Sequence, residues 1–134
     1  MAGNKHVKFR GKLVFVGFGC VGQGVLPLLL RHIEIAPEQV LIFTADERGR
    51  AEADQFGVKF TVSPLTPTNY RQILAPVLNQ GDFLLNVSID VSSAALIEFC
   101  HERGALYLDT CIEPWAGGYT DTRLSPSRRS NYGL

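Results

Sequence analysis

Short apolar runs alternate with stretches of helical spacing along this chain. Leu13-Val14-Phe15-Val16 is a continuous apolar run ending at a glycine, the mark of a strand buried on both faces. From Val21 to Ile33 the period becomes helical, with Val21, Val25, Leu28, Leu29 and Ile33 able to share a face. Pro27 lacks an N–H and should kink that helix, unless the first turn is irregular. Val40 to Phe43 predicts a second buried strand, and Arg48 to Phe56 a short charged helix stopped by Gly57. Val58 to Val62 alternates as a strand. Asn69 to Leu78 reads as a helix whose end Pro76 should shorten. Phe83 to Val87 is a further strand. Ser92 or Ser93 can cap a helix running to Arg103, with Gly104 at its end, and Ala105 to Leu108 is the last strand.

Such alternation predicts an α/β fold, a doubly wound and mainly parallel sheet with helices on both faces. After Asp109 the regular pattern fades. Glu113 to Tyr132 is rich in Gly, Ser, Pro and Arg and holds no core element. Residues 1–110 therefore read as one domain. Residues 111–134 read as the start of a linker or substrate domain, in a sequence cut short.

Composition narrows the class. The 134 residues are 46% hydrophobic and 19% charged, as in ordinary globular proteins. Thirteen basic residues balance thirteen acidic ones, leaving no global field to draw nucleic acid or an anionic membrane. The three cysteines, Cys20, Cys100 and Cys111, form no CxxC pair, so neither a zinc nor a disulfide framework is expected, and no metal site. With no signal-peptide pattern and no span-length apolar run, the expected setting is the cytoplasm.

Gly17-Phe18-Gly19-Cys20-Val21-Gly22 matches G-x-G-x-x-G directly between the first strand and the first helix. There the first glycine permits a tight turn, the second lets backbone approach a pyrophosphate, and the third lets the helix pack on the sheet. The helix N-terminus around Cys20 and Val21 offers free N–H groups to the phosphates. A Rossmann-type dinucleotide-binding domain is the expectation. Glycines serving packing alone are the alternative.

Asp46 lies 24 residues after Gly22, near the spacing of a carboxylate that bonds the adenine-ribose 2′-hydroxyl. That favours NAD, although Arg48 or Arg50 could instead cover the 2′-phosphate of NADP. Two segments fall at the carboxyl ends of later strands, where the nicotinamide half of a dinucleotide would lie: Asn86 to Ser93, with Asn86 and Ser88 as candidate cofactor contacts, and Asp109 to Trp115. Asp90 could orient the cofactor, anchor an ammonium group, or help cap the following helix with Ser92. Glu113 beside Pro114 and Trp115 would attract a cation more strongly if partly desolvated, and Trp115 could add a cation–π face. A domain-interface tryptophan beside an exposed glutamate is the plainer reading. Asp109 is expected to bond local backbone. Neither Cys20 nor Cys111 has an evident base to make it a nucleophile, and His6, His32 and His101 carry no assigned chemistry.

Gly17-Phe18-Gly19 through Val25 to His32, Asn86 to Ser93, Ala105 to Thr110, Ile112-Glu113-Pro114-Trp115 and Arg129 to Tyr132 resemble the bacterial homospermidine synthases, members of the saccharopine-dehydrogenase-like group. The resemblance runs from Gly11 onward and absorbs Pro27. It implies an enzyme that uses NAD as a bound hydride carrier: one putrescine is oxidised to an imine, ammonia leaves, and a second putrescine condenses to give homospermidine. It implies that Gly17, Gly19 and Gly22 hold the pyrophosphate, and that Asp90 and Glu113 serve the polyamine site, with Trp115 a further candidate. Cys20 stands where the family suggests serine, and Ala116 where it suggests proline. Family members are several times longer, with a substrate and dimerisation domain, which implies a homodimer. Two other readings stay open. One is a saccharopine-dehydrogenase-like oxidoreductase acting on another imine; the other is a non-catalytic NAD-binding module.

Overall fold

The computed structural model describes residues 4–134. Its main sheet has five parallel strands: β2 (Leu13–Val16), β4 (Val40–Thr44), β5 (Lys59–Val62), β6 (Phe83–Asn86) and β7 (Leu106–Asp109). Their spatial order is β5-β4-β2-β6-β7. The chain builds outward from β2 in one direction, then returns to place β6 on its other side. The carboxyl ends of β2 and β6 therefore flank the point where strand order reverses. This is the Rossmann-like arrangement expected from the alternation.

Side chains alternate across β2 and feed two cores, as the pleat requires. Leu13 and Phe15 join Leu26 of α1 (Cys20–His32) and Ala53 of α2 (Arg50–Gln55) on one face. Val14 and Val16 join Leu74 of α3 (Tyr70–Leu74) and Leu96 and Phe99 of α4 (Ser93–Arg103) on the other. Ser92 caps α4, its Oγ accepting from Ala95 N at 3.2 Å, and Gly104 ends it in a left-handed conformation. Pro76 shortens its helix as expected, for α3 ends at Leu74.

Two expectations for α1 are corrected. The helix runs unbroken through Pro27. Its packed stripe is Gly22 and Leu26 flanked by Val25, Leu29 and Leu30, while Val21 and Leu28 are exposed. Four leucines crowd this helix, so several apolar stripes were open to it, and the close seat of Gly22 selects one. A small parallel pair, β1 (Val7–Lys8) with β3 (Ile33–Glu34), was not anticipated. Two-residue strands carry no period to read.

Beyond β7 the chain forms only 3₁₀ turns. On the face that carries α1, the half of the sheet formed by β6 and β7 is covered by no helix among the described residues, while α4 packs on its opposite face. The bare face leaves an open trough of about 380 Å³, lined by Val25, Leu29, Phe83, Leu85, Leu106 and Leu108 among others.

Candidate functional site

The three motif glycines meet three different surroundings. Gly17 leaves β2 with φ of +84°, and a Cβ there would lie 2.7 Å from Ser88 Cα. Around Gly19 such an atom would meet nothing within 4 Å. At Gly22 it would strike the Phe18 ring at 2.9 Å and Val87 at 3.3 Å. The first glycine thus serves a turn and a close backbone crossing, the third serves helix packing, and the second opens on free space. No side chain caps the helix start at Gly19, which leaves the first N–H groups of α1, at Cys20 and Val21, facing outward. Cys20 and Val21 are both exposed at this mouth.

A second glycine-dependent contact supports the bend from the β4 side. Gly49 has φ of +87°, and a Cβ on it would fall 2.6 Å from the Phe18 ring. Gln23 Nε2 donates to Phe18 O at 3.0 Å. Gly49 was not singled out from the sequence; a glycine shortly after a strand is too common a signal.

Asp46 sits two residues beyond β4, on the same edge. Arg48 folds back on it, donating from Nη2 at 2.7 Å and Nε at 2.9 Å to Oδ2, while its backbone N–H meets Oδ1 at 2.9 Å. These bonds hold the Asp46 carboxyl below the usual aspartate range, the Arg48 side chain contributing most. Arg50 is likewise paired with Glu47 and lies over the Phe60 ring at 4.7 Å. Both arginines that could have covered a ribose phosphate are therefore engaged with neighbouring carboxylates.

Across the reversal point, Asn86 is buried and its Oδ1 accepts from Ser88 Oγ at 2.6 Å and Ser88 N at 3.2 Å. Its Nδ2 donates to Tyr107 Oη at 3.1 Å, and that phenol donates to Asp109 Oδ2 at 2.8 Å. Burial pushes the Tyr107 phenol up to about 12, so it keeps its proton throughout the neutral range. Asp109 thus serves a side-chain network rather than the local backbone expected of it. Tyr107 was missed because a strand tyrosine reads as core.

Asp90 is exposed and takes φ of +61°, a conformation that aspartate tolerates better than most residues. It does not cap α4; Ser92 does. Glu113 is pinned through its backbone, its N–H donating to Ser93 Oγ at 3.0 Å and its carbonyl accepting from Ser93 N at 2.8 Å. Its carboxylate pushes the exposed Cys111 thiol up. Trp115 packs its ring on Tyr70 at 5.4 Å and borders a shallow hollow with Asp121 and Arg123. The structure thus gathers Gly17, Gly19, Cys20, Val21, Gly22, Asn86 and Ser88 about the β2–β6 gap, with Asp46 on the same edge. Trp115 stands against the α3–α4 core.

Fold and loop together define a dinucleotide-binding domain of the doubly wound type. The family model described as the saccharopine dehydrogenase NADP binding domain matches residues 13–134, and the chain belongs to that family. Over 130 residues it is 41% identical to homospermidine synthase of Blastochloris viridis and 35% identical to that of Mesorhizobium japonicum, in each case 95% of this chain and 27% of the relative. The crystal structure of the homospermidine synthase of Legionella pneumophila in complex with NAD superposes with a TM-score of 0.83 at 39% identity, over 96% of this chain and 27% of that one. The chain therefore spans about a quarter of the length of the relatives it matches. Among the described residues no helix is long and apolar enough to cross a membrane.

Proposed function

We propose that these residues form the NAD-binding portion of a homospermidine synthase. The observation that carries the reading is the open space beside Gly19, against the crowded Gly17 and Gly22, at the uncapped start of a 13-residue helix. A pyrophosphate needs that combination of bare amides and room. In this reading Gly17, Gly19, Cys20, Val21 and Gly22 line the pyrophosphate, Asp46 accepts from the adenine-ribose hydroxyls, and Asn86 and Ser88 border the nicotinamide half. The Asp46 carboxylate, kept ionised by Arg48, would repel a 2′-phosphate, which favours NAD over NADP.

NAD, when bound, supplies a reversible hydride acceptor. The chain's own residues contribute position and charge. Asp90 and Glu113 are proposed to serve a diamine such as putrescine, Glu113 through a carboxylate whose backbone Ser93 fixes, and Trp115 through its ring. Residues 1–110 act as the cofactor domain, and residues 111–134 lead into the substrate region, in a cytoplasmic enzyme acting as a homodimer.

Titration calorimetry of the chain with NAD, NADP and putrescine tests the cofactor assignment. The expected result is binding of NAD, at least tenfold tighter than NADP. No binding of either nucleotide removes the reading. For the activity, a longer protein carrying this segment should convert putrescine to homospermidine and ammonia without net NADH. Steady NADH accumulation would point to an ordinary dehydrogenase.

A further inference from the structure

The glycine bend does not stand alone; its lip is set by a directed chain of hydrogen bonds from the neighbouring strands. Asp109, as a carboxylate, can only accept, so the Tyr107 proton goes to it at 2.8 Å. With that proton committed, the phenol oxygen can only accept from Asn86, which must present its NH₂ at 3.1 Å. The amide oxygen of Asn86 is thereby aimed at Ser88, where it takes both the hydroxyl and the backbone N–H. Ser88 in turn is the residue whose backbone crosses Gly17 at a separation no side chain would tolerate.

We propose that Tyr107, anchored by Asp109, is a positioning residue that orients the Asn86 amide and so fixes the Ser88 turn against the glycine bend of the nucleotide site. This rests on the cofactor reading for its consequence but not for its geometry. Tyr107 touches neither the bend nor the open space beside Gly19; it acts through Asn86. Its removal leaves the NH₂ of Asn86 without an acceptor in a buried place, so the bond that held the amide in this orientation is gone. Once turned, it faces the Ser88 N–H with a donor, and the turn loosens.

The test uses hydrogen exchange on the nucleotide-free chain together with NAD titration, for wild type, Tyr107→Phe, Asp109→Asn, Asp109→Leu and a remote core control, Leu78→Val. Expected for Tyr107→Phe and Asp109→Leu is about tenfold faster exchange at the Ser88 amide with the Val14 and Leu84 amides unchanged, and about tenfold weaker NAD binding. Asp109→Asn retains an acceptor for the phenol and should stay near wild type in both. The Leu78→Val protein should lose stability without either local change. Unchanged exchange at Ser88 in Tyr107→Phe overturns the proposal, as does weakened binding in Leu78→Val equal to that in Tyr107→Phe. If Ser88 loosens as expected while wild type takes no NAD, the cofactor reading falls and the positioning role stands.

Discussion

Gly17 and Ser88 touch backbone to backbone: a methyl group on Gly17 would sit 2.7 Å from Ser88 Cα and 2.8 Å from Ser88 N. The contact joins the loop after the central strand to the loop after its neighbour, and it makes the motif glycines separable by experiment. Gly17→Ala meets both a left-handed backbone and a backbone clash, and should cost at least about 2 kcal/mol of stability. Gly19→Ala meets open space, so its thermal midpoint should stay within a few degrees of wild type while NAD binding weakens tenfold or more. Thermal unfolding and NAD titration, run on both variants, check the contrast. Equal destabilisation by the two would mean that the glycines serve packing alone.

Among the described residues, Asp46 and Arg48 form the only ion pair at the β4 end whose carboxylate also ties a backbone N–H. Replacing Asp46 by Ser removes the carboxylate and frees Arg48 for a 2′-phosphate. The preference for NAD over NADP should fall by at least tenfold, read as the ratio of the two dissociation constants. Adding Arg48→Ala to Asp46→Ser should lose the gained NADP affinity, which separates a freed arginine from simple loss of repulsion.

The three thiols should differ in reactivity. Cys20 is exposed at the loop mouth, Cys100 is buried with its thiol pushed up to about 11, and Cys111 is exposed but held up by the Glu113 carboxylate. The thiolate is the reacting form, so at pH 8 iodoacetamide should label Cys20 first and Cys100 only on unfolding. Glu113→Gln lowers the Cys111 pKa and should speed its labelling, most clearly below pH 9. NAD should slow labelling of Cys20 and leave Cys111 much less affected. Peptide mass mapping over time gives all three rates.

Ser93 staples the segment after β7 to the start of α4 through two bonds with Glu113. Ser93→Ala leaves the Glu113 N–H without its partner, at a cost of about 1–3 kcal/mol. Limited proteolysis should then cut between residues 110 and 118 well before the sheet unfolds. Ser92→Ala, which removes only the helix cap, should cost about 1 kcal/mol without exposing that segment.

How much of this was legible depended on whether a residue's neighbours lie near it in sequence. The glycine bend and the Ser92–Gly104 helix are local devices, written in turn and cap chemistry, and the structure has them where expected. Asp46 was singled out by counting from Gly22, and it lies two residues beyond β4. The stripe of α1 was not legible, because Leu26, Leu28, Leu29 and Leu30 offer a helix more than one apolar side, and only the seat of Gly22 against Phe18 and Val87 decides between them. Tyr107 was hidden for a similar reason. Its partners, Asn86 and Asp109, are joined by strand register, since Asn86 pairs with Asp109 across β6 and β7. Gly49 gains its meaning from its left-handed backbone and from Phe18 and Gln23, which arrive from the loop and helix after β2.

The uncovered trough beside β6 and β7 has a consequence for handling this stretch of chain. Leu106 and Leu108 expose about half their surface there, 53% and 52%, with Val7 at 56%. Oily walls of that extent draw one another in water. Concentrated samples of the 134 residues by themselves should cluster, and charged replacements at Leu106 and Leu108 should keep them dispersed while leaving the glycine bend after β2 unaltered.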